Sequence, residues 1–501
     1  MIEFSELLDL ASERVGGQVI AANDDFFASK ENLVKAAEPV WIKDKYTDRG
    51  KWMDGWETRR RRTSGHDWCI LKLGLAGSIL KVIVDTSYFT GNFPESCSIE
   101  GCALEWGEDP LAGDVAWSEI LPRSQLKGDA ENCFSILESS RYTHLRLNIH
   151  PDGGVARLRV YGEAIPDWRS LSSTVDELDL ADELDLAAIE HGGRILDCSD
   201  KFYSAPQNLL LPGRNTGMHD GWETRRRRGP DHDWVTIRLG VAGLIGSIEV
   251  DTSHFKGNYP DGCSLEACAM PDGKDVADAQ WNELLPRTKL EADSIRTFKL
   301  SRKCTATHVR FNMYPDGGIA RLRIYGHPDS DALAKARLRW LNSLPVNAAR
   351  KMFLNCCGST KWCEIMLSQR SFASVNQLLE AAEHAFDELS AEEWKQAFAA
   401  HPQIGGKRTA APTQAQRWSE QEQAGAAMAS TEVLRRLEQR NQEYHSRFGY
   451  IFIVCASGQS GEMMLATLEQ RLHNDPKTEL NMVAGEQRKI TKLRLKKLVN
   501  L

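Results

Sequence analysis

Two copies of one stretch carry the residues whose types and spacing suit chemistry. Asp54-Gly55-Trp56-Glu57-Thr58-Arg59-Arg60-Arg61-Arg62 is followed by His66-Asp67-Trp68. The pattern returns 166 residues later (54 to 220) as Asp220-Gly221-Trp222-Glu223-Thr224-Arg225-Arg226-Arg227-Arg228, followed by His232-Asp233-Trp234. In an extended chain Glu57, Arg59 and Arg61 share one face, and Trp56, Thr58, Arg60 and Arg62 share the other. A carboxylate between two guanidiniums suits an anionic substrate with urea-like hydrogen-bonding groups, since Arg binds carboxylates in a bidentate way. His66 beside Asp67 offers an acid/base with an orienting carboxylate. The second copy offers the same set as Glu223, Arg225, Arg227, His232 and Asp233. The competing reading is a structural ion-pair network around a Trp core. Asp152 and Arg157, with Asp316 and Arg321, are weaker candidates, because Pro151-Asp152-Gly153-Gly154 and Pro315-Asp316-Gly317-Gly318 are good turn sequences.

A second constellation lies far downstream. His401-Pro402 follows a helical pattern, and Ser419, Glu422 and Gln423 sit within one turn of each other on the next. Asn441, Tyr444 and Phe448-Gly449 precede the apolar run Phe452-Ile453-Val454-Cys455-Ala456, and Arg494 falls in the last helix. A lone His before Pro is more often a cap or surface residue than a catalyst, so this set carries weight only as a group.

The elements that must position these residues differ between the two parts of the chain. A length of 501 residues suggests three or four domains. Short strand patterns recur in each copy: Cys69 to Leu73, Leu80 to Val84, Thr143 to Ile149 and Val155 to Tyr161. The Pro-Asp-Gly-Gly turn reads as joining the last two into a hairpin. Several short strands without alternating helices predict an all-β sandwich of jelly-roll type for each copy. Residues 1–20 read as a short helix, and Asp176 to His191 as a solvated acidic helix or linker. After Gly326 helix formers take over, at Ala332 to Ser343, Ser374 to Leu389, Ala391 to Ala400, Gln416 to Phe448, Met463 to His473 and Glu479 to Leu498. Ser390 reads as an N-cap, Asn474-Asp475-Pro476 as a break, and Tyr450 to Ala456 as extended. The expected fold is two tandem β-sandwiches, of galactose-binding-like form, followed by an all-α bundle. The expected domains are 15–170, 190–327 and 335–501.

Composition narrows the function classes. A formal net charge of −8 argues against a general nucleic-acid binder. The acidic, amphipathic start shows no secretory pattern, and no run of 18 apolar residues suggests a membrane span. Cys97 and Cys102 recur as Cys263 and Cys268, spaced for packing thiols rather than a metal site, which implies a reducing, cytoplasmic location. The expected partners are small-molecule substrates and further copies of the chain, with no nucleic acid and no membrane; no metal and no cofactor is expected.

The repeated DGWETRRRR, the HDW that follows, DTS-x-F-x-GN and the closing PDGG-x-ARLR-x-YG resemble the allantoicase family over about residues 15–327. The resemblance implies two similar β-sandwich domains and cleavage of allantoate to ureidoglycolate and urea. Its site would lie in one copy, in both, or be shared. That substrate has one carboxylate for Arg and two ureido groups for Asp, Glu and His. The helical part is similar to the 2-oxo-4-hydroxy-4-carboxy-5-ureidoimidazoline (OHCU) decarboxylase family over about residues 335–500. This resemblance implies His401 and Glu422 as catalytic groups and Arg494 as the balance for negative charge. It places Pro402, Ser419, Glu420, Gln421, Glu422, Gln423, Phe452, Ile453, Val454, Cys455 and Ala456 against the substrate. Ser371 departs from the Arg-Pro-Phe sequence common in that family and touches no catalytic position. The joint expectation is a bifunctional enzyme that also makes (S)-allantoin from OHCU. The alternative is a pair of carbohydrate- or ligand-binding sandwiches on a helical scaffold.

Overall fold

The computed structural model describes residues 7–137, 140–169, 183–271, 274, 276–401, 418, 430–456 and 458–499. It divides into two compact units that meet at Pro345 and Val346. Among the described residues no helix is long and apolar enough to cross a membrane.

The first unit holds two β-sandwich copies. The first comprises β1 (Leu8–Asp9), β2 (Gln18–Ala22), β3 (Tyr46–Thr47), β4 (Gly50–Lys51), β5 (Trp56–Glu57), β6 (Asp67–Asp85), β7 (Ser96–Cys102), β8 (Ser118–Gln125), β9 (Glu131–Ser135), β10 (Arg141–His150), β11 (Gly154–Val155) and β12 (Arg157–Ala164). The second comprises β13 (Leu184–Asp185), β14 (Arg194–Cys198), β15 (Trp222–Glu223), β16 (Asp233–Asp251), β17 (Gly262–Cys268), β18 (Asn282–Lys289), β19 (Ile295–Lys299), β20 (Thr305–Tyr314), β21 (Gly318–Ile319) and β22 (Arg321–Pro328). All ladders are antiparallel.

The 19-residue β6 organises the first copy. Its first half pairs with β2 on one edge and β10 on the other, and its second half pairs with β12 and β9. One strand thus runs through both layers, and β16 does the same in the second copy. Where β6 changes partners, a Cβ on Gly74 would fall 2.4 Å from the Val15 carbonyl oxygen, and one on Gly77 would fall 2.1 Å from that of Glu163. Only glycine lets the neighbouring backbones come so close. Leu71, Leu145, Leu147, Val82, Val84, Leu158 and Val160 fill the interior.

The structure differs from four expectations. The segments Cys69 to Leu73 and Leu80 to Val84 are one strand. β10 and β12 form no hairpin with each other, because each pairs with a different half of β6, while Gly154-Val155 pairs with Trp56-Glu57. The described part of residues 1–20 is not a helix: β1, a 3₁₀ turn at Glu13–Val15 and β2 occupy it. Of the acidic stretch Asp176 to His191, residues 176–182 lie outside the described residues. The rest is neither an α-helix nor a solvated linker, since β13 pairs with β22, Leu186 and Ala187 are buried and a 3₁₀ turn follows at Ile189–His191. This is the second copy's version of β1, as Leu8-Asp9-Leu10-Ala11 matches Leu184-Asp185-Leu186-Ala187.

Helix α1 (Ser330–Ser343) belongs to the first unit. Its Leu333 packs into the sandwich core, Arg339 pairs with Glu163 at 2.8 Å, and Trp340 lies 3.6 Å beneath the Arg169 guanidinium.

The second unit is helical: α2 (Val346–Cys357), α3 (Thr360–Ser368), α4 (Val375–Asp387), α5 (Ala391–Ala399), α6 (Thr431–Phe448), α7 (Gly461–Arg471) and α8 (Pro476–Leu498) are its described helices. Ser390 and Glu393 form a capping box on α5, and Asp475 caps α8 with Pro476 in its first turn. The expected helix Gln416 to Phe448 is not continuous. Ser430 is extended and its hydroxyl accepts from the Val433 N–H, so α6 starts there. Residues 416, 417 and 419–429 lie outside the described residues. Helices α2 and α3 were not anticipated, although Ser359 caps α3. Tyr450 to Ala456 has no helical or strand assignment.

Candidate functional sites

The repeated motif builds a cleft in the first copy. Trp56 is fully buried and donates its indole N–H to the Asp24 carbonyl at 2.8 Å. Thr58, also buried, accepts from the Gly153 N–H at 3.1 Å, which ties the motif to the Pro-Asp-Gly-Gly turn. Between these anchors Glu57 faces a cleft of 390 Å³ lined also by Phe27, Arg60, Asn92, Phe93, Glu95 and Asp152. Asn92 donates to the Glu57 carboxylate at 2.6 Å. Burial raises the Glu57 carboxyl above its ordinary value, and the Asn92 hydrogen bond offsets part of that. A carboxyl held this way can give a proton nearer neutrality than an exposed one.

Arg59 and Arg61 do not flank Glu57. Arg59 turns to Asp24 at 3.0 Å, and Arg61 binds Asp67 through Nη2 at 2.8 Å. Regular extension stops at Glu57, so the alternation expected over residues 56–62 does not hold. The guanidinium on the cleft is that of Arg60, 3.6 Å from Asp152. His66 and Asp67 form no pair either, because neighbours along a chain of this form point to opposite sides. Asp67 is buried against Arg61 and Asn23, whereas the His66 ring lies 4.7 Å from that of His150. Arg157 is structural: it pairs with Asp54 at 2.8 Å and is almost fully buried.

The second copy repeats this arrangement. Asn258 donates to Glu223 at 2.6 Å, Trp222 donates to the Asp200 carbonyl at 2.9 Å, and the Arg227 N–H donates to Asp316 at 2.8 Å. Arg225 pairs with Asp200, Arg227 with Asp233, and the His232 ring lies 4.7 Å from Tyr314. Arg321 pairs with Asp220 at 3.0 Å. Asn92 and Asn258 were not singled out from the sequence, although both stand in the repeated Gly-Asn of DTS-x-F-x-GN. Cys97, Cys102, Cys263 and Cys268 are free and buried, with thiols pushed up by desolvation.

In the helical unit His401 follows the end of α5. Its Nε2 lies 2.7 Å from Gln487 Oε1, and its Nδ1 lies 3.5 Å from Arg494 Nη2. Gln487, Thr491 and Arg494 project from one side of α8 by their i, i+4, i+7 spacing. Burial, followed by the Arg494 charge, pushes the His401 imidazole down to about 3, against the gain from the Gln487 hydrogen bond. The ring is therefore neutral near pH 7. Arg494 is itself buried and donates to the Asn355 carbonyl at 3.2 Å.

The extended run is clamped by charge. Ile453 accepts from Arg471 at 2.9 Å, and the Cys455 N–H donates to Glu486 at 2.7 Å. Arg471 forms a buried ion pair with Glu479, which also accepts from Tyr444 and Asn474. Phe452, Ile453, Val454 and Ala456 are buried and Cys455 is half-buried. Neither Arg471 nor Glu486 was anticipated; both are ordinary helix-surface residue types, and only the fold reveals their task. Pro402, Ser419, Glu420, Gln421, Glu422 and Gln423 lie outside the described residues.

Comparison with known proteins accords with this division. The family model of the allantoicase repeat matches residues 8–165 and 184–329, and that of OHCU decarboxylase matches residues 342–496. A probable allantoicase of Photobacterium profundum is 46% identical over 331 residues, covering 65% of this chain and 98% of that protein. The crystal structure of allantoicase from Saccharomyces cerevisiae is 34% identical, with a TM-score of 0.55, over 65% of this chain and 95% of that one. A structure of OHCU decarboxylase in the presence of (S)-allantoin is 34% identical, with a TM-score of 0.26, over 30% of this chain and 97% of that one. The two copies that share β6-type strands and a Glu–Asn hydrogen bond are thus allantoicase repeats, and the chain belongs to the allantoicase family, with an OHCU decarboxylase domain after the repeats.

Proposed function

We propose that this chain is a bifunctional enzyme of ureide catabolism. Its first unit hydrolyses allantoate to ureidoglycolate and urea, and its second decarboxylates OHCU to (S)-allantoin. The observation that carries the first half is the Glu57 carboxyl on its cleft, held by Asn92, a hydrogen bond repeated between Asn258 and Glu223 in the second copy. Replacing urea by water at a saturated carbon needs an acid for the leaving nitrogen. Glu57 is the group whose environment suits that task, and Arg60 on the rim is placed to meet the substrate carboxylate. The sequence candidates Arg59, Arg61 and Asp67, and their second-copy equivalents, serve by holding the backbone of the cleft. The binding-only alternative has less support, since both parts of the chain match enzyme families and the cleft sets a largely buried acid beside an amide.

In the second unit a neutral His401 accepts or passes a proton while Glu422 would direct it to one face of the substrate. Arg494 offsets the substrate's negative charge, and the clamped run Phe452 to Ala456 presents fixed backbone groups to the ureido arm. We place the domain boundary after α1, and the free state of all twelve cysteines supports a reducing, cytoplasmic location. The purified chain tests the whole reading: it should release urea from allantoate and give optically active allantoin from OHCU, followed by circular dichroism. Failure of either reaction removes that half of the proposal.

A further inference from the structure

We infer that Gln487 and Thr491 are positioning residues that fix His401 as the neutral tautomer with its proton on Nε2 and its lone pair on Nδ1. The inference rests on the proposed decarboxylase role of His401 and adds which nitrogen is free for the chemistry.

The hydrogen bonds among His401, Gln487, Thr491 and Arg494 agree on one assignment, and the Thr491 hydroxyl also reaches the Cys357 thiol. Thr491 Oγ1 donates its single proton to the Gln487 backbone carbonyl at 2.9 Å. It can then only accept from the Gln487 side chain, 3.2 Å away, and only the amide nitrogen can donate. The Gln487 amide is thereby oriented, with Nε2 towards Thr491 and Oε1 towards His401. At 2.7 Å from His401 Nε2, an oxygen with no proton of its own requires an N–H there. On the other side of the ring Arg494 Nη2 has only protons to offer, so the Nδ1 that faces it at 3.5 Å carries the lone pair. Two partners of opposite character, both on α8, demand the same tautomer. Gln487 is fully buried and Thr491 nearly so, which keeps water from replacing either bond.

A histidine held so cannot use Nε2 to exchange protons with substrate without breaking the Gln487 contact. Nδ1, whose contact with Arg494 is much the weaker of the two at 3.5 Å against 2.7 Å, is the nitrogen left for the chemistry. The wrong tautomer would present a proton to Arg494 and no acceptor to substrate.

The experiment uses the full chain with ¹⁵N-labelled histidine. His401 signals are identified by their loss in His401→Asn, and two-bond proton–nitrogen correlations report the tautomer. Wild type should show a protonated Nε2 and an unprotonated Nδ1 at neutral pH. Thr491→Val removes the group that orients Gln487. It should mix the tautomers and lower the decarboxylase kcat about 10-fold or more, with KM little changed and urea release from allantoate unaltered. Thr491→Ser keeps the hydroxyl and should restore both tautomer and kcat. A wild-type ring protonated on Nδ1 overturns the inference even if neither Thr491 variant folds. So does a Thr491→Val protein with unchanged tautomer and kcat while His401→Asn is inactive. Full activity of His401→Asn would instead remove the underlying catalytic reading of His401.

Discussion

Asn92 donates to the carboxylate of Glu57 at 2.6 Å, and the same bond joins Asn258 to Glu223 in the second copy. The contact fixes the carboxyl rotamer, and at Glu57 burial raises the carboxyl above its ordinary value while the Asn92 hydrogen bond offsets part of that. Glu57→Gln preserves the shape and can still accept from Asn92, but has no proton to give. It should lower urea release by about 10²-fold if the first copy turns over allantoate, with the melting temperature held. Glu223→Gln asks the same of the second copy. A double variant with wild-type urea release would take both carboxyls out of the mechanism.

The Asp54–Arg157 pair should behave in the opposite way. Arg157 also donates to the carbonyls of Ala37, Asp54 and Ala156, so it holds the start of the repeated motif. Arg157→Met leaves those acceptors unanswered and the buried Asp54 carboxylate with only the Val40 N–H and the more distant Lys35, which should cost about 3 kcal/mol of stability. Denaturant unfolding measures it. Activity per folded molecule should stay near wild type, and a specific loss at unchanged stability would give Arg157 a direct role.

His401→Asn should abolish OHCU decarboxylation by at least about 10²-fold and leave urea release untouched. It also carries a pH signature. The imidazole is depressed from 6.5 to about 3 in the folded state, so protons bind the unfolded chain more readily. Stability from the neutral ring is whole above 6.5 and drains away as pH falls towards 3. The variant lacks this loss, so its melting temperature relative to wild type should rise as the buffer is made acidic. A difference independent of pH would mean that the ring is not buried neutral.

The two units should also separate. A protease site inserted between Pro345 and Val346, where the compact units meet, should yield on cleavage two soluble fragments, each with its own activity. Loss of both activities on cleavage would show that the units depend on each other. A cut before Lys335 should do worse for the first unit, since it strips away Trp340, which stacks beneath Arg169.

The β-then-α order was legible because period-2 alternation at Leu145 to Ile149, the cap at Ser390 and the break at Asn474-Asp475-Pro476 are local signals. Pairing was not. Nothing around Pro151-Asp152-Gly153-Gly154 tells that β10 and β12 each seek a different half of β6, because that choice is made by residues some eighty positions earlier. The same limit affected the cleft. Glu57 stood out by type, but Asn92 becomes its partner only through the fold, and Arg59 and Arg61 leave it for Asp24 and Asp67. In the helical unit His401 and Arg494 were visible through resemblance. Gln487, Glu486 and Arg471 were hidden, being polar residues on helices whose inward face is set by tertiary packing.

The pairing of Leu8 with Gly162, and of Leu184 with Gly326, sets a timetable for synthesis. In each copy the strand made first waits for the strand made last, so neither sheet can be completed until its final residues have left the ribosome. Such distant pairings close slowly and leave edges open meanwhile. The first copy, however, has all its strands by Ala164, before β13 is made. Sequential completion of this kind lets two similar sandwiches form on one chain with less opportunity to exchange strands.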